Sequence, residues 1–190
     1  ADRTVLVTGA LYLRMDEFGS NDLVRKLNRI GLRVLVEPSH AFVEYVTRPR
    51  APTIEGSPLP PLKHGHVRLM QATIRSNLYE RVRKEHAQIP DSSMNHGLDA
   101  ASELVDRYPA GETPLTVGST LHHWNERLCD GVVVIAPWGC GPTHISESLL
   151  RHKREIPLLF VYHDGTPIDE RRLEAFAFRI RRQPRRTPDI

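Results

Sequence analysis

The stretch VVVIAPWGCGPTHISESLL, residues 132–150, constrains the fold more than any other. Val132–Ala136 is apolar at every position, so both faces of that strand must be covered. That places it centrally in a parallel sheet rather than at an edge or on a half-solvated antiparallel face. Gly131 turns the chain into this strand, and the pattern after Pro142 is helical, over about residues 142–154. Proline suits a first helical turn, because its missing N–H has no partner there in any helix.

The flanking segments repeat the same alternation. Thr4–Thr8 (TVLVT) reads as a first strand, Gly9–Gly19 as a loop, and Ser20 or Asn21 as the cap of a helix carrying Leu23, Val24, Leu27 and Ile30. Gly31 ends that helix, and Arg33–Glu37 (RVLVE) forms a second strand stopped by Pro38. A helix starting at Gly118 or Ser119 and holding Leu121, Trp124 and Leu128 leads to the central strand. Beyond it lie the strand Leu158–Tyr162 and a closing helix with Leu173, Phe176, Ala177 and Ile180 inward. These spacings predict an α/β fold: an open, mostly parallel, doubly wound sheet of about four strands, Rossmann- or flavodoxin-like.

One span departs from that rhythm. Pro49, Pro52, Pro58, Pro60 and Pro61 exclude a regular element over 48–62. Val67, Met70, Ile74, Leu78 and Val82 then mark one face of a long helix, with Arg68, Arg75, Arg81, Arg83 and Lys84 on the rest, read as a solvated basic face. A further helix is expected from about Asp91 to Tyr108. Residues 48–110 thus form a Pro-rich loop plus helical excursion covering the sheet of a single domain, 1–190, with 183–190 a frayed tail. Arginines 179, 181, 182, 185 and 186 complement the last helix dipole before it.

The net charge of +3 is compatible with an acidic or phosphorylated partner and specifies neither. No segment approaches the ~18 apolar residues of a membrane span, and the opening Ala1-Asp2-Arg3 has no signal-peptide pattern. Two cysteines, Cys129 and Cys140, are too few for a disulfide framework, which suggests reduced thiols and a cytoplasmic location. The absent initiator methionine fits a processed chain or a fragment. No G-x-x-x-x-G-K-[ST] occurs, so no nucleotide site is expected in this chain. His64 and His66, and His122 and His123, lack further ligands at zinc spacing and read as surface histidines.

Ligands of open parallel sheets bind beyond the carboxyl ends of the strands, at the switch in strand order. Cys140 falls in one of the loops converging there. Gly139 and Gly141 relieve crowding around its sulfur, and the following helix N-terminus favours negative charge on it. The thiol could be a nucleophile with His144 as base and Glu147 behind it, a metal or cluster ligand, or an inert side chain. Cys129 and Cys140 flank one strand and should not share a metal.

These segments together resemble one family. TVLVTGALYLRMDEFGSNDLVRKLNRIGLRVLVEP and the later stretch from GETPLTVG to RRLEAF are similar to the C-terminal domain of 2-hydroxyacyl-CoA dehydratases and their CoA-enzyme-activase relatives (DUF2229-like). The matching features are a Gly-x-x-Tyr-x-Arg loop (Gly9, Tyr12, Arg14), then Phe18, Asn21 and Asp22, Asp-Gly before the central strand, and Pro-Trp-Gly-Cys-Gly-Pro after it. The resemblance covers both ends of the chain and leaves 48–105 unmatched. It implies an iron–sulfur-supporting, electron-transfer domain. Cys140 would be one ligand of a 4Fe–4S cluster, in a site with Gly139, Gly141, Tyr12 and Arg14. The remaining cysteines would come from another domain or subunit, and the electron from an ATP-dependent activator. Cys129 is then a packing residue. A cysteine-dependent enzyme, or an interaction domain that has lost the cluster, are the alternatives; neither nucleic acid nor membrane is an expected partner.

Overall fold

A computed structural model describes residues 3–46, twelve helical residues within 66–84, 94–105 and 111–187. Its sheet has four strands, β1 (Arg3–Gly9), β2 (Leu32–Val36), β3 (Gly131–Pro137) and β4 (Leu158–His163), all parallel, in the order β2-β1-β3-β4. The expected α/β doubly wound architecture is therefore present. The helices are α1 (Leu11–Met15), α2 (Leu23–Arg29), α3 (Ser39–Val46), α4 (Met94–Ala101), α5 (Thr113–Asn125), α6 (Gly141–Leu150) and α7 (Glu170–Arg181).

Alternation along the strands sorts the core into two layers. Val5, Val7, Val133, Ile135 and Val161 point to one face, where Leu23 and Leu27 of α2 and Leu173, Phe176 and Ile180 of α7 cover them. Leu6, Val132 and Val134 point to the other, against Val117, Leu121 and Trp124 of α5 and Leu150 of α6. From Gly131 to Ala136, β3 is buried at every position, as its unbroken apolar run requires.

Several expectations need correcting. The loop 9–19 holds a short helix, α1, and the chain re-enters helix, α3, directly after Pro38. Helix α5 begins at Thr113, with Pro114 in its first turn, five residues before Gly118. Gly118 lies inside it because the α4 backbone crosses there at Gly97, a contact no local propensity reveals. The helix expected from 91 to 108 is α4 alone followed by turns, and residues 91–93 and 106–110 lie outside the described residues, as do 47–65. Met70 and Ile74, on the apolar face of the expected long helix, are 58% and 51% exposed, and Val67, Leu78 and Val82 lie outside the described residues. The helix 142–154 ends at Leu150. Finally, the tail is anchored rather than frayed up to Thr187: Asp130 accepts the Arg186 and Thr187 N–H groups at 2.7 and 3.3 Å.

Candidate functional site

β1 leads outward to β2, and the chain returns on the other side of β1 as β3, so strand order switches between β1 and β3. Beyond the carboxyl ends of these two strands the backbones touch. Ala10 N–H donates to Ile135 O at 2.8 Å. Gly9 has φ +106°, and a Cβ there would lie 3.0 Å from Ile135 N and closer still to Ile135 O. Only glycine fits this crossing.

Cys140 sits at the rim of that seam as the residue preceding α6, half-buried, with extended φ and ψ of −65° and 105°. Its sulfur does not cap the helix. Instead the Thr143 hydroxyl donates to Sγ at 3.2 Å, while the Cys140 carbonyl receives His144 N–H. Gly139 is required for its φ of +79°, but among the described residues beyond its chain neighbours a Cβ on Gly139 or Gly141 would meet nothing within 4 Å, so neither is there to relieve crowding. Crowding comes from the side instead: a Cβ on Gly111 would meet Pro142 Cγ at 2.7 Å, and Thr113 Oγ1 donates to Pro142 O at 3.0 Å. The start of α5 thus buttresses the cysteine loop.

On the β4 side, His144 stacks on Tyr162 with ring centroids 4.5 Å apart, and Trp138, 74% exposed, meets Tyr162 edge-on at 6.3 Å. The Tyr162 hydroxyl donates to Glu147 Oε2 at 2.6 Å. Burial first, then this bond and the Glu147 charge, push its phenol well above the ordinary tyrosine range, with Cys140 adding to the effect. Among the described residues, the sulfur's bonded partner is Thr143, and His144 is engaged with Tyr162. A Cys140–His144 nucleophile and base pair is not assembled here.

The other expected site residues divide. Tyr12, on α1, is 68% exposed, whereas Arg14 is buried with its guanidinium turned toward β2. Arg14 Nε donates to Glu37 O at 3.1 Å, and Nη1 pairs with Glu37 Oε2 at 3.0 Å and also bonds Gly9 O. Thr8 Oγ1 completes this buried set, donating to Glu37 Oε2 at 2.8 Å. Sequence reasoning missed Glu37 and Glu112. Glu112 precedes α5, takes the Leu11 N–H, and has its carboxyl raised by burial, the nearby Glu37 charge adding and Arg14 opposing. The Pro114 helix-start signal would have placed it there.

The histidines also differ from expectation. His123 is buried, with Nδ1–H donating to Ser119 O at 2.8 Å, and burial holds its pKa below the usual histidine range; His66 is exposed, and His64 lies outside the described residues. No group of three His, Cys, Asp or Glu that could hold a metal occurs among the described residues. Cys129 is fully buried beyond the opposite end of β3 from Cys140, so the seven strand residues separate the two thiols by about 23 Å. Burial, then Asp130, pushes the Cys129 thiol up to about 12. At pH 8 roughly one molecule in ten thousand would carry that thiolate, and it has no access to solvent. Alkylation of the native chain should therefore modify one thiol quickly, with Cys140→Ser removing that phase and Cys129 reacting only on unfolding. Two fast thiols would contradict the burial of Cys129.

Fold and site together define an open doubly wound parallel α/β domain with a half-exposed cysteine at the seam where its strand order switches. The chain matches no family model, no curated protein and no solved structure. No described helix is long and apolar enough to cross a membrane.

Proposed function

We propose that this chain is an electron-transfer domain that contributes one thiolate, Cys140, to a 4Fe–4S cluster. It would act within a system like the 2-hydroxyacyl-CoA dehydratases and their activators, whose motifs it resembles. The observation that carries the reading is the Thr143 hydroxyl donating to Cys140 Sγ at 3.2 Å on an open rim. A hydroxyl aimed at sulfur stabilises a charged, ligating thiolate and tunes a cluster bound to it.

The residues present fit one position of such a group and no more, since a cluster of this kind takes about four thiolates. Cys129 is turned into the core at the far end of β3. The other ligands would therefore belong to another domain or subunit, docking over Gly139–Gly141, where no described residue beyond the chain neighbours lies within 4 Å of either glycine's missing Cβ. When bound, the cluster supplies low-potential one-electron chemistry. This chain's own residues hold the ligand loop: Pro142 and Thr113 fix its end, Thr143 bonds the sulfur, and Trp138 and Tyr162 wall its flank. Tyr12 is exposed on α1, and Arg14 would brace the loop after β1 through Gly9 O. ATP hydrolysis belongs to a partner activator, and exposed cluster chemistry suits a reducing, cytoplasmic setting.

The test is anaerobic reconstitution with iron and sulfide, in excess glutathione to complete the ligand set, beside Cys140→Ala and Cys129→Ala. The expected result is iron uptake with visible sulfide-to-iron absorption in the native chain and in Cys129→Ala, lost in Cys140→Ala. Equal uptake by Cys140→Ala, or none by the native chain, would overturn the reading.

A further inference from the structure

A second site lies on the other side of β1. A crevice of about 370 Å³ opens outside the carboxyl ends of β1 and β2, a volume within the range of small-molecule sites. Its charged wall comprises Arg14, Asp16, Glu17, Asp22, Arg25 and Glu37, four carboxylates against two guanidiniums. Met15, Val24 and Val36 supply an apolar floor. Arg25 is shared between Glu17 at 2.7 Å and Asp22 at 3.5 Å, and Arg14 is paired with Glu37, so the surplus in the crevice is negative.

Arg14 is only 6% exposed, and its Nη2 is buried with no hydrogen-bond partner among the described residues. A buried donor without an acceptor is costly in a finished fold, and here it belongs to a side chain that lines a ligand-sized crevice. Glu37 complements it. Both the Thr8 and the Arg14 bonds fall on Oε2, which leaves Oε1 able to accept.

These features select among ligands. A phosphate or carboxylate would meet a net negative wall. A bare cation would leave the Arg14 N–H unanswered. Adjacent hydroxyls answer both requirements, one oxygen accepting from Arg14 while the hydroxyl hydrogens go to carboxylates. In dinucleotide-binding α/β sheets an acidic residue about 20 residues beyond the first turn holds a ribose hydroxyl, and Glu37, directly after β2, offers a carboxylate in a comparable place. We propose that this crevice binds a neutral ligand of nucleoside size through a vicinal diol, held between Arg14 and the carboxylates. The proposal is independent of the Cys140 reading.

Arg14→Ala would break a buried ion pair and could unfold the chain, so the test uses the rim. Adenosine, 2′-deoxyadenosine and AMP are titrated into the full chain and followed by amide chemical shifts. Adenosine should give saturable shifts at the crevice. Loss of one hydroxyl, or addition of a phosphate, should each weaken binding about ten-fold. Ser39→Trp, which fills the crevice from the first turn of α3, should abolish the shifts. Glu17→Lys, at a 68% exposed side chain, should bring AMP level with adenosine. Absence of saturable shifts with adenosine, equal binding of 2′-deoxyadenosine, or binding retained by a folded Ser39→Trp would each overturn the proposal.

Discussion

Alanine at Gly118 is expected to destabilise the chain by about 3 kcal/mol or more, lowering the melting temperature by roughly 6–12 °C. The added Cβ would lie 2.5 Å from Gly97 C and 3.1 Å from Gly97 Cα, and closer still to Gly97 O. All of these are backbone atoms of α4, so no rotamer change relieves the clash. The helix must move away from α5, opening the contacts of Met94 and Leu98 with Leu115. The reciprocal change separates this cause from general intolerance. A Cβ on Gly97 would meet Gly118 C and Ser119 N at 3.4 Å, ordinary van der Waals contact. Gly97→Ala should therefore be neutral, or stabilising by up to about 1 kcal/mol through the helix preference for alanine. Thermal and urea unfolding of the two variants decide the matter: equal losses, or a larger loss at Gly97, would refute the close crossing of α4 and α5.

The same crossing shows where sequence reasoning stops. Strand β3 was legible because an unbroken apolar run has one physical solution, burial on both faces. The inward face of α7 was legible because Leu173, Phe176, Ala177 and Ile180 keep helical spacing. Cys140's position before a helix followed from the same local patterns, whereas the packing role of Cys129 was expected only through the family resemblance. Gly118 was misread as a helix start, because a glycine admitted by a neighbouring backbone looks like any other glycine. The start of α2 was placed at Ser20 or Asn21, but the cap is Asp22, and both Asn21 and Asp22 have left-handed φ, 52° and 55°. Asn21 is held there by a distant partner, its Oδ1 accepting Ile168 N–H at 3.0 Å. The Arg14–Glu37–Thr8 set was equally hidden, since its members lie on α1, just after β2 and on β1, and meet only when β1 and β2 pair.

Asp130 should give the other large effect. It is 3% exposed and accepts four hydrogen bonds: Oδ2 from Thr4 N–H at 2.8 Å and the Thr187 hydroxyl at 2.9 Å, Oδ1 from the Arg186 and Thr187 N–H groups at 2.7 and 3.3 Å. One carboxylate thus ties the start of β1, the entrance to β3 and the C-terminal segment together. Arg186, held by this bond, lays its guanidinium 3.9 Å from the centre of the Trp124 ring and donates to Trp124 O at 3.0 Å. Asp130→Ala leaves buried N–H donors without acceptors and is expected to cost about 3–4 kcal/mol. Asp130→Asn keeps the shape but turns an NH₂ toward N–H donors on one side, so it should recover little of the loss. A chain ending at Gln183 distinguishes the tail from the strand: if both act through one carboxylate, Asp130→Ala should cost less in the shortened chain than in the full one. Losses below about 1 kcal/mol for Asp130→Ala, or full additivity with the truncation, would mean that the ends of the chain are held independently. The expected coupling gives the Asp130-Gly131 pair a physical reason. The carboxylate joins the start of β1 to Arg186 and Thr187 at the amino-terminal edge of the sheet, and the missing side chain next to it makes room for Ile180 Cδ1, which a Cβ there would meet at 2.7 Å.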